Sequence, residues 1–348
     1  MTDPTPPKPN MQQIADAAAV SKSAVSLALR NDPRIPEATR IRIQKVANEM
    51  GYRRNPVVDS LMALLRAGRH PNFQANLGLI NCSSVKDLSK NHTFRRLREG
   101  VLRRAEQLGY GIEEFWMEEP DMRPQRLKQI LETRGIPGLI LIASLKPDLL
   151  DESYTDFWDD FACAVLGVTH LDNHLDCATN DQFLTARRAT EKAIELGYSR
   201  PMLAVPPEDD ALLDDKFSAG FLSANRYLKK ADRLNPVDLD VHNLDRTVAA
   251  IRKLKPDVVL TNKTELYRAL RETDLKIPED IGVVHLDWHD GISEISGMRQ
   301  NNRVVGSAGV DLVVGLLQKN ETGPQMYPKV VQIESVWVKG ETVREPAM

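Results

Sequence analysis

From Asn76 onward, short apolar runs alternate with amphipathic stretches, and the series occurs twice. No other feature limits the fold as much. The runs at 77–80, 111–116, 138–143 and 162–166 carry few charges, as expected of strands covered on both faces. Segments at helical spacing, 94–108 and 123–134, lie among them. A second series follows, with helices at 183–196, 216–230, 245–254 and 264–273 and strands at 202–205, 237–241, 257–260 and 282–286. Such alternation makes parallel α/β sheets. The expected body, 76–348, is two doubly wound parallel-sheet subdomains in tandem. Ligands of such sheets bind beyond the carboxyl ends of the strands, so the cleft between the subdomains is the expected site. The segment 304–317 reads as a helix returning across that cleft.

The first 75 residues differ in texture. Residues 1–9 are polar and Pro-rich and read as a disordered tail, and 67–75 read as a linker. In 11–30, Ile14, Ala15 and Ala18 share one helical face, and Ala19-Val20 suits a tight turn. Ser21 is a good N-cap for a second helix whose inner face is Ala24, Val25, Ala28 and Leu29. A small residue such as Ala15 lets two helices cross steeply. A third helix is expected over 37–50, with Ile41, Ile43, Val46 and Ala47 inward and Gly51 closing it. This pattern is a helix-turn-helix head over 10–54, followed by a hinge and linker over 55–75. Lys22, Ser23 and Ser26 on the outer face suit the major groove of DNA. A generic three-helix bundle is the alternative. The charge distribution favours DNA: residues 1–70 hold 11 Lys and Arg against 6 Asp and Glu, and the rest hold 35 against 43.

These residues resemble the lactose-repressor (LacI-type) family of bacterial transcription regulators. Ile14-Ala15, Val20-Ser21 and Val25-Ser26 match the family's "VA…GVS…TVS" run, and Thr39-Arg40, Val46, Gly51-Tyr52 and Asn55 match its "TR…V…GY.PN" run. Val57 and Ser60-Leu61 match its hinge. The body resembles the family's effector domain, itself like periplasmic sugar-binding proteins, through Asn180-Asp181, Gly197-Tyr198, Thr261-Asn262, residues 277–281 and Leu286-Asp287. The resemblance implies that Lys22 and Ser23 read bases, that Asn10, Ser21, Ser26, Thr39 and Tyr52 grip phosphates, and that Arg34 touches backbone or base. It makes Leu61 an apolar wedge in the minor groove. An apolar stripe of Leu61, Leu64 and Leu65 packing on the protein itself is the other reading. Leu27 and Arg30 depart from the family pattern, so one usual base contact is missing.

The same resemblance implies a small-molecule effector, a homodimer and a palindromic double-stranded operator. Its projected effector residues are Cys82, Ser83, Phe94, Arg95, Asp181, Lys263, Asp287, Trp288 and Gln300. Trp288 would stack on a sugar ring, with Asp287 and Gln300 taking its hydroxyls. Lys263 stands where the family has Asp, and Phe217 where it has Arg, which weakens a plain sugar reading and admits an acidic ligand. Neither a P-loop nor GxGxxG, HExxH or GxSxG occurs, and the seven His are scattered, so no enzyme, metal or cofactor is expected. Three scattered Cys suggest buried small hydrophobes rather than disulfides. The polar N-terminus does not read as a secretory signal, and no apolar run reaches membrane length, so the cytoplasm is expected. An exported binding protein and an α/β enzyme are the competing classes. The basic head argues against the first, the missing motifs against the second.

Overall fold

A computed structural model describes residues 11–29, 34–50, 74–142, 157–167 and 174–345. The chain divides into two units, Met1–His70 and Pro71–Met348.

The first unit contains α1 (Met11–Ala17), α2 (Lys22–Ala28) and α3 (Glu37–Glu49). Helices as short as α1 and α2 are marginal alone, so their stability comes from a shared core. That core is Ile14, Ala15, Ala18, Val25, Ala28, Ile43 and Ala47. Between α1 and α2 the chain turns sharply, with Ala19 in the left-handed region at φ 50°. Ser21 caps α2, its hydroxyl oxygen accepting the Ala24 N–H at 3.1 Å. Side chains of α3 satisfy the carbonyls at the ends of the other two helices. Arg42 donates to Ala18 O and Gln44 to Ala28 O, each at 2.9 Å. One expected core residue is misplaced: Ile41 is 57% exposed. It stands two residues from buried Ile43, about 200° around a helix, and so faces away.

The second unit contains two six-stranded sheets. The first is built from β1 (Asn76–Asn81), β2 (Gly111–Trp116), β3 (Gly138–Ile142), β4 (Ala162–Leu166), β5 (Asp176–Asn180) and β11 (Val330–Ile333). The second is built from β6 (Pro201–Val205), β7 (Val237–Asp238), β8 (Val258–Thr261), β9 (Gly282–His285), β10 (Ser296–Arg299) and β12 (Val336–Val338). Their orders are β2-β1-β3-β4-β5-β11 and β7-β6-β8-β9-β10-β12, the same doubly wound arrangement twice. All pairings are parallel except β10 with β12. The central strands bury both faces, whereas the edge strands β2, β7, β11 and β12 are only partly covered. Leu77 and Leu79 of β1 join one apolar layer, and Ile80 with the following Cys82 joins the other.

Helices α4 (His92–Leu108) and α11 (Asn302–Lys319) cover one face of the first sheet, and α5 (Pro124–Thr133) covers the other. The second sheet lies between two layers. One holds α6 (Gln182–Glu195) and α8 (Lys216–Asn225), and the other α9 (Leu244–Leu254) and α10 (Thr264–Arg271). A short α7 (Pro207–Leu212) follows β6. The chain passes between subdomains three times: from β5 to α6, from β10 to α11, and from β11 to β12. The expected helix 304–317 is part of α11, which follows the chain's return to the first subdomain and packs on α4 and the first sheet. The helix read to 230 ends at Asn225.

Candidate functional site

In the first unit, the expected contact residues gather around the start of α2. Ser21 is its exposed N-cap, Lys22 and Ser23 form its first turn, and Ser26 follows one turn on. Arg34 is exposed just before α3, and Thr39 is half-buried in its first turn. Asn10, Tyr52 and Leu61 lie outside the described residues.

In the second unit, the carboxyl ends of the strands face the seam between subdomains, and the helix starts are there too. Asn91 caps α4 by accepting the N–H groups of Thr93 and Phe94, which sets His92, Thr93, Arg95 and Arg96 at the edge of the first subdomain. After β9 the chain continues through Asp287, Trp288, His289 and Asp290 on the second. The two edges meet at Asp287. His92 Nε2 lies 3.0 Å from its Oδ2, and the Thr93 hydroxyl donates to the same oxygen at 3.2 Å. The rings of His92 and His289 stack with centroids 4.2 Å apart. Arg96 pairs with Asp290 beside them. His285, at the end of β9, accepts the Asp287 N–H on Nδ1 at 3.1 Å.

This environment fixes the charges. Burial pushes the Asp287 carboxyl up, but the hydrogen bond and charge of His92, with His285 and Thr93, outweigh it and hold the group below the ordinary carboxylate range. Burial takes His285 down to about 4, so it is neutral near pH 7. His289 is also lowered, chiefly by burial and by His92, against the pull of Asp287 and Asp290.

The other expected effector residues divide. Gln300 sits at the second crossing, where its Nε2 donates to Gln182 Oε1 at 3.0 Å and to Leu286 O at 3.1 Å. Asp181 caps α6, accepting the Leu184 N–H at 2.8 Å. Lys263 does not offer an unpaired cation. Its Nζ lies 2.7 Å from Asp209 Oδ2, an oxygen that also accepts from Asn262 at 2.5 Å. Cys82 is turned away from the cleft. It is 1% exposed in the apolar layer under β1, and burial pushes its thiol up to about 12. Ser83 is spent on its own loop, donating to Asn81 Oδ1 at 2.8 Å. Phe94 packs on the core of the first subdomain, while Arg95 is exposed and lines a neighbouring cavity with Arg98, Glu114 and Trp116. Trp288 offers little free ring. It is buried among Leu270, Ile292 and Ile295, and its indole N–H donates to Ile295 O at 2.9 Å. The remaining edge of Trp288 lines a cavity of about 420 Å³ with His92, Arg96, His289 and Gln300.

Six buried side-chain atoms lack a hydrogen-bond partner among the described residues, and four of them cluster at strand ends along this seam. They are Asn180 Oδ1, Asn262 Oδ1, His285 Nε2 and Asp287 Oδ1. Buried polar atoms are ordinarily paired, and leaving one bare costs about 1–3 kcal/mol. Sequence reasoning reached Asp287, Lys263 and Gln300 but missed His92, Thr93, Asp209, His285 and His289. Asn91 as a cap ahead of an amphipathic run was a local signal for His92, whereas nothing in the spacing pairs residue 92 with residue 287. Among the described residues, no helix is long and apolar enough to cross a membrane, and no group of His, Cys, Asp and Glu is arranged to hold a metal ion.

The Lys263–Asp209 pair gives a direct test. Lys263→Asp puts two carboxylates together in place of an ion pair. The body is expected to lose about 1 kcal/mol at pH 7, a drop of ~2–4 °C in melting temperature. Equal melting temperatures at pH 7 would show that the pair contributes nothing.

Residues 10–55 match the family model "Bacterial regulatory proteins, lacI family". The ribose operon repressor of Escherichia coli K12 is 22% identical over 289 residues, covering 80% of this chain and 82% of the relative. The transcriptional repressor PurR of Aliivibrio salmonicida is 21% identical over 346 residues, covering 94% and 98%. Among solved structures, the lac repressor dimer bound to operator and the anti-inducer ONPF superposes with a TM-score of 0.57 at 18% identity, covering 97% of this chain and all of the other.

Proposed function

We propose that this chain, a member of the lacI family of bacterial regulatory proteins, is a DNA-binding transcription regulator whose operator affinity is set by a small molecule held between its α/β subdomains. It binds a palindromic operator as a homodimer in the cytoplasm, as a repressor, and has no catalytic role. Lys22 and Ser23 read bases from the start of α2. Asn10, Ser21, Ser26, Thr39 and Tyr52 hold phosphates, with Arg34 beside them. Leu61, in the hinge over 55–75, enters the minor groove.

The observation that carries the effector reading is the set of four unpartnered buried side-chain atoms at or just past the carboxyl ends of β5, β8 and β9. Three of the four are side-chain oxygens, so they call for a ligand rich in hydrogen-bond donors. Sugars and their derivatives meet that requirement. Lys263 gives no support to an acidic ligand, because its charge is already matched by Asp209.

One set of gel shifts and anisotropy titrations on genomic fragments tests both halves. Binding should be tight on one palindromic fragment, and log affinity should fall steeply with log salt, by about 0.9 per phosphate neutralised. Asp287→Ala and Gln300→Ala should keep this binding but lose the response to an added metabolite mixture. No fragment bound at any salt concentration would overturn the DNA half. Full response in both variants would overturn the effector half.

A further inference from the structure

The seam between the subdomains is joined by a compact group of titratable side chains. From α4 come His92, Arg95 and Arg96; from the segment after β9 come Asp287, His289 and Asp290, with His285 behind them. Asp287 receives His92 at 3.0 Å, and the stacked rings of His92 and His289 lie 4.2 Å apart with planes tilted by 33°. Arg96 occupies Asp290. The other charges on the same cavity are Arg299 and Arg303, and Arg303 is paired with Glu99. His289 accepts the Gly291 N–H on Nδ1 at 3.1 Å.

We propose that this cluster is a proton-operated latch: it holds the cleft closed while the His289 ring is neutral and releases it when that ring takes up a proton. The carboxylates near His289 are already engaged, Asp287 by His92 and Thr93 and Asp290 by Arg96. A proton on the His289 ring, stacked at 4.2 Å on His92 with Arg95 nearby, gains only what those two shared carboxylates still offer. With the subdomains apart, His289 stands in water and charges freely. Burial and His92 hold His289 below its usual 6.5 in the closed arrangement, which agrees with this picture. His285, at about 4, stays neutral throughout the relevant range.

The sign follows from linkage. His289 binds its proton more weakly closed than open, so closing releases a proton. Closure is fully favoured above 6.5 and weakens as the pH falls through that value. One proton gives at most about a tenfold change in the closed-to-open ratio per pH unit. The latch builds on the reading of the seam as a hinged effector cleft, but only in requiring that the subdomains separate. Its test measures that separation and no effector response, so the two ideas fail separately.

The experiment uses the full chain with spin labels on cysteines placed at Glu132 of α5 and Arg271 of α10. Cys177→Ser removes the part-exposed thiol, while Cys82 and Cys163 are buried. Labelled chain is diluted with unlabelled chain so that each dimer carries one labelled copy. Between pH 7.5 and 5.5 the long-distance population should grow, and His289→Gln, whose amide oxygen can still accept from Gly291, should flatten the profile. His289→Asn serves if the first variant does not fold. Imidazole NMR should show His289 titrating below 6.5 in the parent protein. A distance distribution independent of pH, an unchanged profile in the variant, or a His289 titration at or above 6.5 would each overturn the latch.

Discussion

Gly306→Val should cost the first subdomain more than ~3 kcal/mol, beyond the usual range for overpacking a core. A Cβ on Gly306 would stand 2.1 Å from Leu97 O, and one on Gly100 would stand 2.0 Å from Arg303 O. Each glycine thus faces the backbone of the opposite helix, where no side chain can swing aside. Helices α4 and α11 would have to move apart, and their contact carries Leu97, Val101, Val305 and Val310 of the core. Urea unfolding of the variant should show a much lower midpoint. Gly315→Ala is the control. That position, in the same helix, has nothing within 4 Å of a new Cβ. It should gain up to about 1 kcal/mol from helix propensity. A Gly306→Val protein that unfolds at the parent midpoint would show that the two helices are not held this closely.

Ala15→Leu should cut operator affinity at least ~100-fold while leaving the body intact. Ala15 is 1% exposed in a core of seven fully buried residues. Three added carbons have no room there, and overpacking costs about 1–3 kcal/mol. A head of this size has little stability to lose, since small domains bury a small share of their surface. The change should therefore unfold α1 and α2 together and remove the DNA-contacting surface. The body is a separate unit with its own cores, so its thermal transition should not move. Parent-like DNA affinity in the variant would mean that the α1–α2 crossing tolerates a larger residue than its packing implies.

Much of the fold is written locally. Strand β4 is legible to the residue, because a buried parallel strand is an apolar run between turn signals. The end of α4 is legible because Gly109 takes a left-handed φ of 82° that most residues avoid. The head is legible because its core repeats at helical spacing and Ser21 marks the start of α2. Strand β5, Asp-Cys-Ala-Thr-Asn, is not. Its Asp176 is held by Lys329, and its Asn180 by Asn302, so partners far along the chain make a polar segment buriable.

The site divides in the same way. The sequence alone determined that this chain carries a helix-turn-helix head on a twofold α/β body, which rests on periodicity and local motifs that any short window contains. Asp287 and Gln300 were projected onto the site by the family resemblance. Only the tertiary structure decided the rest. It folded Trp288 onto Ile292 and Ile295 instead of into the cleft, turned Cys82 under the sheet, and matched Lys263 with Asp209. It also brought His92 to within 3.0 Å of Asp287 across 195 residues of chain. No local pattern encodes such a pairing. It exists because three crossings at one seam set the start of α4 against the end of β9, and packing elsewhere in both subdomains fixes that approach.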